Sequence, residues 1–235
     1  MLFSKKKKAN PELGKIIVGE ESVKHCEGYN KLRDNILYMN ADKTRKVIQT
    51  ESAVKGEGKT TVTCNLAVAL GLTDKRVVVV DLDFYHPRAH RLFEVEKEMG
   101  IAEYILGNAS LDDIVKKTSR KNVDIITRGA EVQNSSLVFV SEKFKNMIAE
   151  LRERYDYVLL DCAPVLQVSD YIHISRVSDG VIFMVEHATT SRSQVKEAVD
   201  ELRKNGADIL GSVFTMYEKK KDRSYNGTYT YYGSY

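Results

Sequence analysis

The sequence predicts an α/β protein: a mainly parallel sheet with helices on both faces, followed by a tyrosine-rich C-terminal tail expected to be disordered. Three observations carry this. A short apolar run from Lys46 enters a glycine-bearing loop that opens directly into an apolar-periodic helix. Two more runs, Val77 to Val80 and Tyr157 to Leu160, read as central parallel strands, and each ends in an aspartate. Strand-length and helix-length segments then alternate along most of the remaining chain.

Taken in order, residues 1–19 lack periodicity and are expected to form a flexible basic arm. From Glu21 to Met39, Val23, Cys26, Leu32, Ile36 and Met39 trace an apolar stripe between charges, so an accessory helix precedes the core. The core is expected as strand 46–50, helix 59–72 and strand 76–81. A looser stretch follows, with short helices near 89–93, 101–106 and 111–116. Strand 123–127, helix 141–154, strand 157–161, a helix near 169–177, strand 180–186, helix 191–204 and strand 209–216 complete a domain spanning 20–216. Residues 217–235 form the tail. Parallel sheets of this kind bind ligands at the carboxyl ends of their strands.

The 235 residues, 43% apolar and 29% charged, suffice for a sizeable core. No apolar run approaches the roughly 20 residues that span a bilayer, and the lysine-bearing N-terminus has no signal-peptide core, so a soluble, cytoplasmic protein is expected. Cys26, Cys64 and Cys162 make neither an even disulfide framework nor a C-x-x-C pair, and read as packing residues. The net charge of +3 is uneven: Lys5 to Lys8 and the stretch from Glu218 to Arg223 are basic, leaving the core slightly acidic. Such ends suit anionic lipid or an acidic partner, or are simply solvated.

The loop Lys55-Gly56-Glu57-Gly58-Lys59-Thr60-Thr61 is a phosphate cradle. Backbone N–H groups can surround a polyphosphate only where side chains do not intervene, hence Gly56 and Gly58. The following helix turns its positive dipole end to the same phosphates, Lys59 reaches the β/γ oxygens, and the Thr60 hydroxyl is placed to ligate Mg²⁺. Lys59 is expected at the surface of the site rather than in the core. The strict G-x-x-x-x-G-K-[ST] pattern has glycine where Ala53 stands. Asp81, Asp83 and Asp161, at strand ends adjoining this loop, are candidates for the metal site, against the alternative that a strand-end aspartate caps a helix. His86 and His90 lack a third ligand for a metal. The tail's tyrosines beside Lys219 to Lys221 offer a weak case for nucleic-acid stacking, and no nucleic-acid partner is expected.

The set Gly56-Glu57-Gly58-Lys59-Thr60-Thr61 with Asn65-Leu66-Ala67, apolar-Asp81-x-Asp83, and apolar-Asp161-x-x-Pro164 before Ser169-Asp170 resembles the bacterial protein-tyrosine kinases of capsule and exopolysaccharide synthesis. They are P-loop NTPases related to partition ATPases. The resemblance covers roughly 27–215 and extends to the tail, where Tyr217, Tyr225, Tyr229, Tyr231, Tyr232 and Tyr235 match the family's tyrosine cluster. It implies a cytoplasmic kinase of the Gram-positive type, peripheral at the inner face of the membrane, with a separate membrane activator protein as partner.

The resemblance further implies ATP and Mg²⁺ as cofactors. Gly56, Glu57, Gly58, Lys59, Thr60 and Thr61 would bind nucleotide, and Thr60, Asp81 and Asp161 the metal. Lys59, Asp81 and Asp83 would be catalytic, with Asp83 accepting or orienting the tyrosine hydroxyl proton. Phosphoacceptors would be Tyr225, Tyr229, Tyr231, Tyr232 and Tyr235, modified in trans. Nineteen flexible residues reach about 25 Å, enough to enter a neighbour's site. The family's arginine positions hold Tyr85, with Arg88 three residues on, and Asn30, leaving Glu27 and Arg33 for oligomerisation, up to a ring. Thr215 replaces the asparagine often used for base recognition, and Val54 the signature lysine of partition ATPases. A partition-type ATPase switch and a nucleotide-binding scaffold with little kinase activity are the alternative functions.

Overall fold

A computed structural model describes residues 14–19, 23–42 and 44–217; within 23–42, side chains are described from Cys26. Seven strands form one sheet: β1 (Val47–Ser52), β2 (Val77–Asp81), β3 (Val115–Lys117), β4 (Val123–Ile126), β5 (Tyr157–Asp161), β6 (Gly180–Glu186) and β7 (Ile209–Thr215). Their order is β3-β4-β2-β5-β1-β6-β7, and all neighbours are parallel except the edge pair β3 and β4.

Alternation along the strands divides the core. Val77, Val79 and Leu159 face a cluster built with α1 (Val23–Met39), α2 (Lys59–Gly71) and α3 (Ala89–Leu92). Val78, Val80 and Leu160 face the other side, under α4 (Ile101–Leu106), α5 (Leu111–Ile114), α6 (Ser135–Val140), α7 (Glu142–Arg154) and α8 (Tyr171–Ile174). There α9 (Arg192–Lys204) covers Val181 and Phe183 through Ala198 and Leu202. Both faces are thus buried, which is why the central strands need no polar alternation.

The order β2-β5-β1 makes three functional strand ends neighbours. Asp81 pairs in register with Asp161, and Asp161 with Thr50. All three strands are central and parallel, so their carboxyl ends lie together at one end of the sheet.

Several expected elements differ. The helix expected over 111–116 stops at Ile114, because Val115 turns extended and pairs with Ile126 as the antiparallel edge. Asn134 caps an unforeseen helix, α6, before Ser141 caps α7. The helix near 169–177 keeps only Tyr171 to Ile174. The arm expected to run to Gly19 docks along its described part: Ile16 and Val18 are buried, and Asn65 on α2 holds them. Asn65 Oδ1 accepts from Ile17 N and Val18 N at 2.8 and 3.2 Å, and its amide donates to Lys15 O. All three cysteines are buried and free. No helix among the described residues is long and apolar enough to cross a membrane.

Candidate nucleotide and metal site

After β1 the chain turns through Gly56 and Gly58, whose φ angles of 90° and 83° lie in the left-handed region that favours glycine. Gly58 caps α2 without a side-chain hydrogen bond, so the first-turn N–H groups stay available to an anion. A cavity of about 490 Å³ opens here, with Gly56, Gly58, Lys59 and Thr60 on one wall and Asp83 and Arg88 on another.

Three residues of the loop behave differently from expectation. Lys59 is not at the surface: it is 7% exposed and donates from Nζ to Ser52 Oγ at 2.9 Å. Its charge lies near the buried acids Glu51 and Asp161 and favours their ionised forms, and its side chain still reaches the cavity wall. Glu57 does not turn its side chain to the ligand. It is fully buried, its carboxylate accepting from Val54 N at 2.8 Å, Glu186 N at 3.2 Å and the Thr190 hydroxyl. Thr61 lines the cavity, but its hydroxyl already accepts from Gly14 N at 3.2 Å.

The strand-end acids lie beneath the cradle. Asp161 is fully buried, and neither carboxylate oxygen has a hydrogen-bond partner. Burial raises its pKa to about 7, opposed by the nearby Thr60 hydroxyl and by Lys59. Burial also pushes Asp81 well above the ordinary carboxylate range, and the charge of Asp161 adds to this. Asp81 Oδ2 accepts from Arg88 N and Ala89 N, both at 3.1 Å, whereas Oδ1 has no partner. Three buried, unsatisfied oxygens beside one hydroxyl form a hard, all-oxygen donor set of the kind Mg²⁺ takes. No three His, Cys, Asp or Glu converge among the described residues, so phosphate and water would complete the coordination; His86 and His90 form no site.

Asp83 Oδ1 accepts from Tyr85 N at 3.2 Å and His86 N at 2.8 Å, which fixes its carboxylate at the cavity wall. Tyr85 is exposed, with its hydroxyl 3.2 Å from Ser135 Oγ. Ser135 in turn donates to Asp170 at 2.8 Å, tying the 83–88 loop to α6 and α8. Thr215 spends its hydroxyl on Glu57 O, 2.8 Å away, under the cradle. On α1, Glu27 pairs with Lys31, and Arg33 is held by Asn30 and Asp34. Only Tyr217 of the tail is described: it is exposed and packs edge-on against His187. Tyr225, Tyr229, Tyr231, Tyr232 and Tyr235 lie outside the described residues.

Sequence reasoning overlooked Glu51. It sits fully buried in β1, Oε1 accepting from Gln49 at 2.6 Å and Oε2 unpartnered, and burial pushes it up to about 8. A glutamate inside a strand-length segment, three residues beyond Val47-Ile48, was the available signal. Arg88 and Gly14 in the cavity lining had weaker ones.

This sheet, loop and pair of strand-end acids define an ATP-binding P-loop domain, and residues 45–210 match the AAA domain family. The tyrosine-protein kinase CpsD of Streptococcus pneumoniae is 30% identical over 210 residues, 89% of this chain and 91% of CpsD. The crystal structure of the chimerical protein CapA2B2 superposes with a TM-score of 0.83 at 27% identity, covering 88% of this chain and 94% of that one. The septum site-determining protein MinD from Pyrococcus horikoshii, complexed with Mg-ADP, gives 0.62 at 28%, covering 72% and 69%. The chain belongs to the bacterial tyrosine-protein kinases of capsule synthesis.

Proposed function

We propose that this chain transfers the γ-phosphoryl group of MgATP to tyrosine hydroxyls, including those of the tail of a second copy. The observation that carries the reading is the in-register pair Asp81 and Asp161, buried with three unpartnered oxygens beside Lys59 and Thr60. Such oxygens are costly unless the site is completed by a cation. Mg²⁺, when bound, would neutralise charge on the phosphates. Gly56, Gly58 and the first turn of α2 hold the phosphates, and Lys59 exchanges Ser52 for a γ-oxygen. Thr60, Asp81 and Asp161 hold the metal. Asp83 accepts the proton from the incoming tyrosine hydroxyl, whose oxygen forms the new bond to phosphorus as ADP departs. Arg88, exposed in the cavity lining, supplies the cation that Tyr85 does not.

Tethering brings the tail tyrosines to a neighbouring site, and each phosphate adds about −1.5 to −2 charges, enough to drive modified tails off. Self-association uses α1, with Glu27 solvent-facing although paired with Lys31. A membrane activator protein recruits the kinase to the inner face of the membrane, and the reaction regulates polysaccharide synthesis and export; both rest on the family resemblance.

The test mixes a Lys59→Met chain, which supplies only acceptor, with an active chain lacking 217–235. Phosphotyrosine on the inactive chain's tail is expected. Its absence, while the truncated chain hydrolyses ATP, would make the ATPase switch the better account.

A further inference from the structure

Glu57 stands between the two glycines of the cradle, yet its side chain leaves the ligand side altogether. Three donors hold the carboxylate from two directions. Val54 N, at 2.8 Å, belongs to the start of the same loop; Glu186 N, at 3.2 Å, and the Thr190 hydroxyl belong to the end of β6 and the turn beyond it. The backbone of the same residue is gripped as well, since Thr215 at the end of β7 donates to Glu57 O at 2.8 Å. Thr215 also packs 3.5 Å from where a side chain on Gly58 would begin. The residue itself is fully buried, and the three bonds to its carboxylate are part-buried.

A glycine-bearing loop has many conformations to lose, and in left-handed turns at Gly56 and Gly58 nothing local selects the one that points its N–H groups inward. Side-chain bonds from one fixed point to the ends of two strands select it before any nucleotide arrives. Preformation of this kind appears as affinity, because the ordering cost is no longer borne on binding.

We propose that Glu57 is a positioning residue for the nucleotide: its carboxylate bolts the phosphate loop to the end of β6 and the turn beyond it, beside the bond that Thr215 of β7 makes to its backbone carbonyl, and keeps the cradle in its binding shape. The proposal rests on the reading of this cavity as the nucleotide site. It assigns to Glu57, and to Thr190 as its partner, a role in ground-state binding and none in the chemical step. Glu57 is therefore not a catalytic residue, and its loss separates KM from kcat.

The experiment measures MgATP affinity and turnover for the full chain carrying Glu57→Ala, Glu57→Gln, Thr190→Val or Glu57→Ala with Thr190→Val, beside Lys59→Met. Glu57→Ala is expected to weaken nucleotide affinity about tenfold or more and raise KM similarly, with kcat at saturation within about twofold of wild type. Glu57→Gln, which keeps one carbonyl acceptor, should recover part of the affinity. Thr190→Val should cost a few-fold alone and nothing further on top of Glu57→Ala, because the two act through one bond. Circular dichroism identifies any variant that has not folded, and Glu57→Gln with Thr190→Val then decides. The proposal is overturned if folded Glu57→Ala keeps wild-type affinity, if kcat falls as much as affinity, or if the two substitutions add. Should Lys59→Met also leave affinity unchanged, the cavity itself is misassigned. Loss in Lys59→Met alone would count against Glu57 only.

Discussion

Glu51 is a buried carboxylate whose ionisation the fold opposes, and removing its charge should strengthen the protein. Its pKa rises from the ordinary 4.5 to about 8, chiefly by burial, against partial relief from the Gln49 amide and from Lys59. The folded state thus holds a proton that the unfolded chain has released. Stability from this group is fully present below pH 4.5, declines as pH rises, and is lost above about 8. The displacement corresponds to on the order of 5 kcal/mol at alkaline pH. Glu51→Gln keeps the acceptor for Gln49 and removes the charge, although its new amide replaces the unpartnered Oε2 and costs about 1–3 kcal/mol. A net gain of about 2 to 4 kcal/mol at pH 8.5 corresponds, at about 2–4 °C per kcal/mol for a chain of this size, to a Tm roughly 5 to 15 °C higher. Thermal unfolding without Mg²⁺ or nucleotide, followed from pH 5 to 9, checks this. Wild type should lose stability relative to the variant as pH rises. Parallel profiles would refute the argument, because the carboxyl would then titrate alike in folded and unfolded chains.

Asp161→Asn should likewise stabilise the metal-free protein above pH 7, by up to about 4 kcal/mol from a pKa raised to about 7, yet lose the thermal shift that MgATP gives wild type. Paired melting curves with and without MgATP measure both effects, and retention of the full shift would move the metal site elsewhere. Asp83→Asn should leave MgATP affinity within about twofold and lower phosphotransfer by about 10² or more, since its carboxylate lies at the wall of the cavity. Single-turnover transfer to a tail peptide reads this directly, and unchanged transfer would exclude Asp83 as the proton acceptor.

Much of the fold was legible because β2 and β5 are apolar up to their terminal aspartates and each helix follows at the expected distance. Val77 to Val80 left little choice, and Asp81 marked its end. The antiparallel β3 was not legible: Val115-Lys116-Lys117 is short and half polar, and only pairing with β4 makes it a strand. Asn134 and Ser141 are both helix caps seven residues apart, and the second alone was read as a start. Docking of 15–18 depends on Asn65, 47 or more residues away, a contact no local pattern reports. In the site, residue types disclosed chemistry but not direction. Glu57 reads as part of the cradle by position and leaves it by orientation, while Lys59 reads as exposed by charge and is buried by its partners.

At Asp81 the helix-cap reading accounts for one carboxylate oxygen and leaves the other open to the metal-ligand reading proposed above. One oxygen caps the start of α3 through Arg88 N and Ala89 N, and the other is buried without a partner beside Asp161. The capping bonds fix the carboxylate's rotation, so the second oxygen cannot turn away from its repulsive neighbour to relieve the cost. Asp161 has no such bonds, and only the Thr60 hydroxyl and Lys59 moderate its charge. The two carboxylates therefore differ in how they are held, although both are fully buried. On the reading proposed above, Asp81, Asp161 and Thr60 would hold a divalent cation, whose charge would offset that of the pair. The cost of burying three oxygens without partners is what such a cation would relieve.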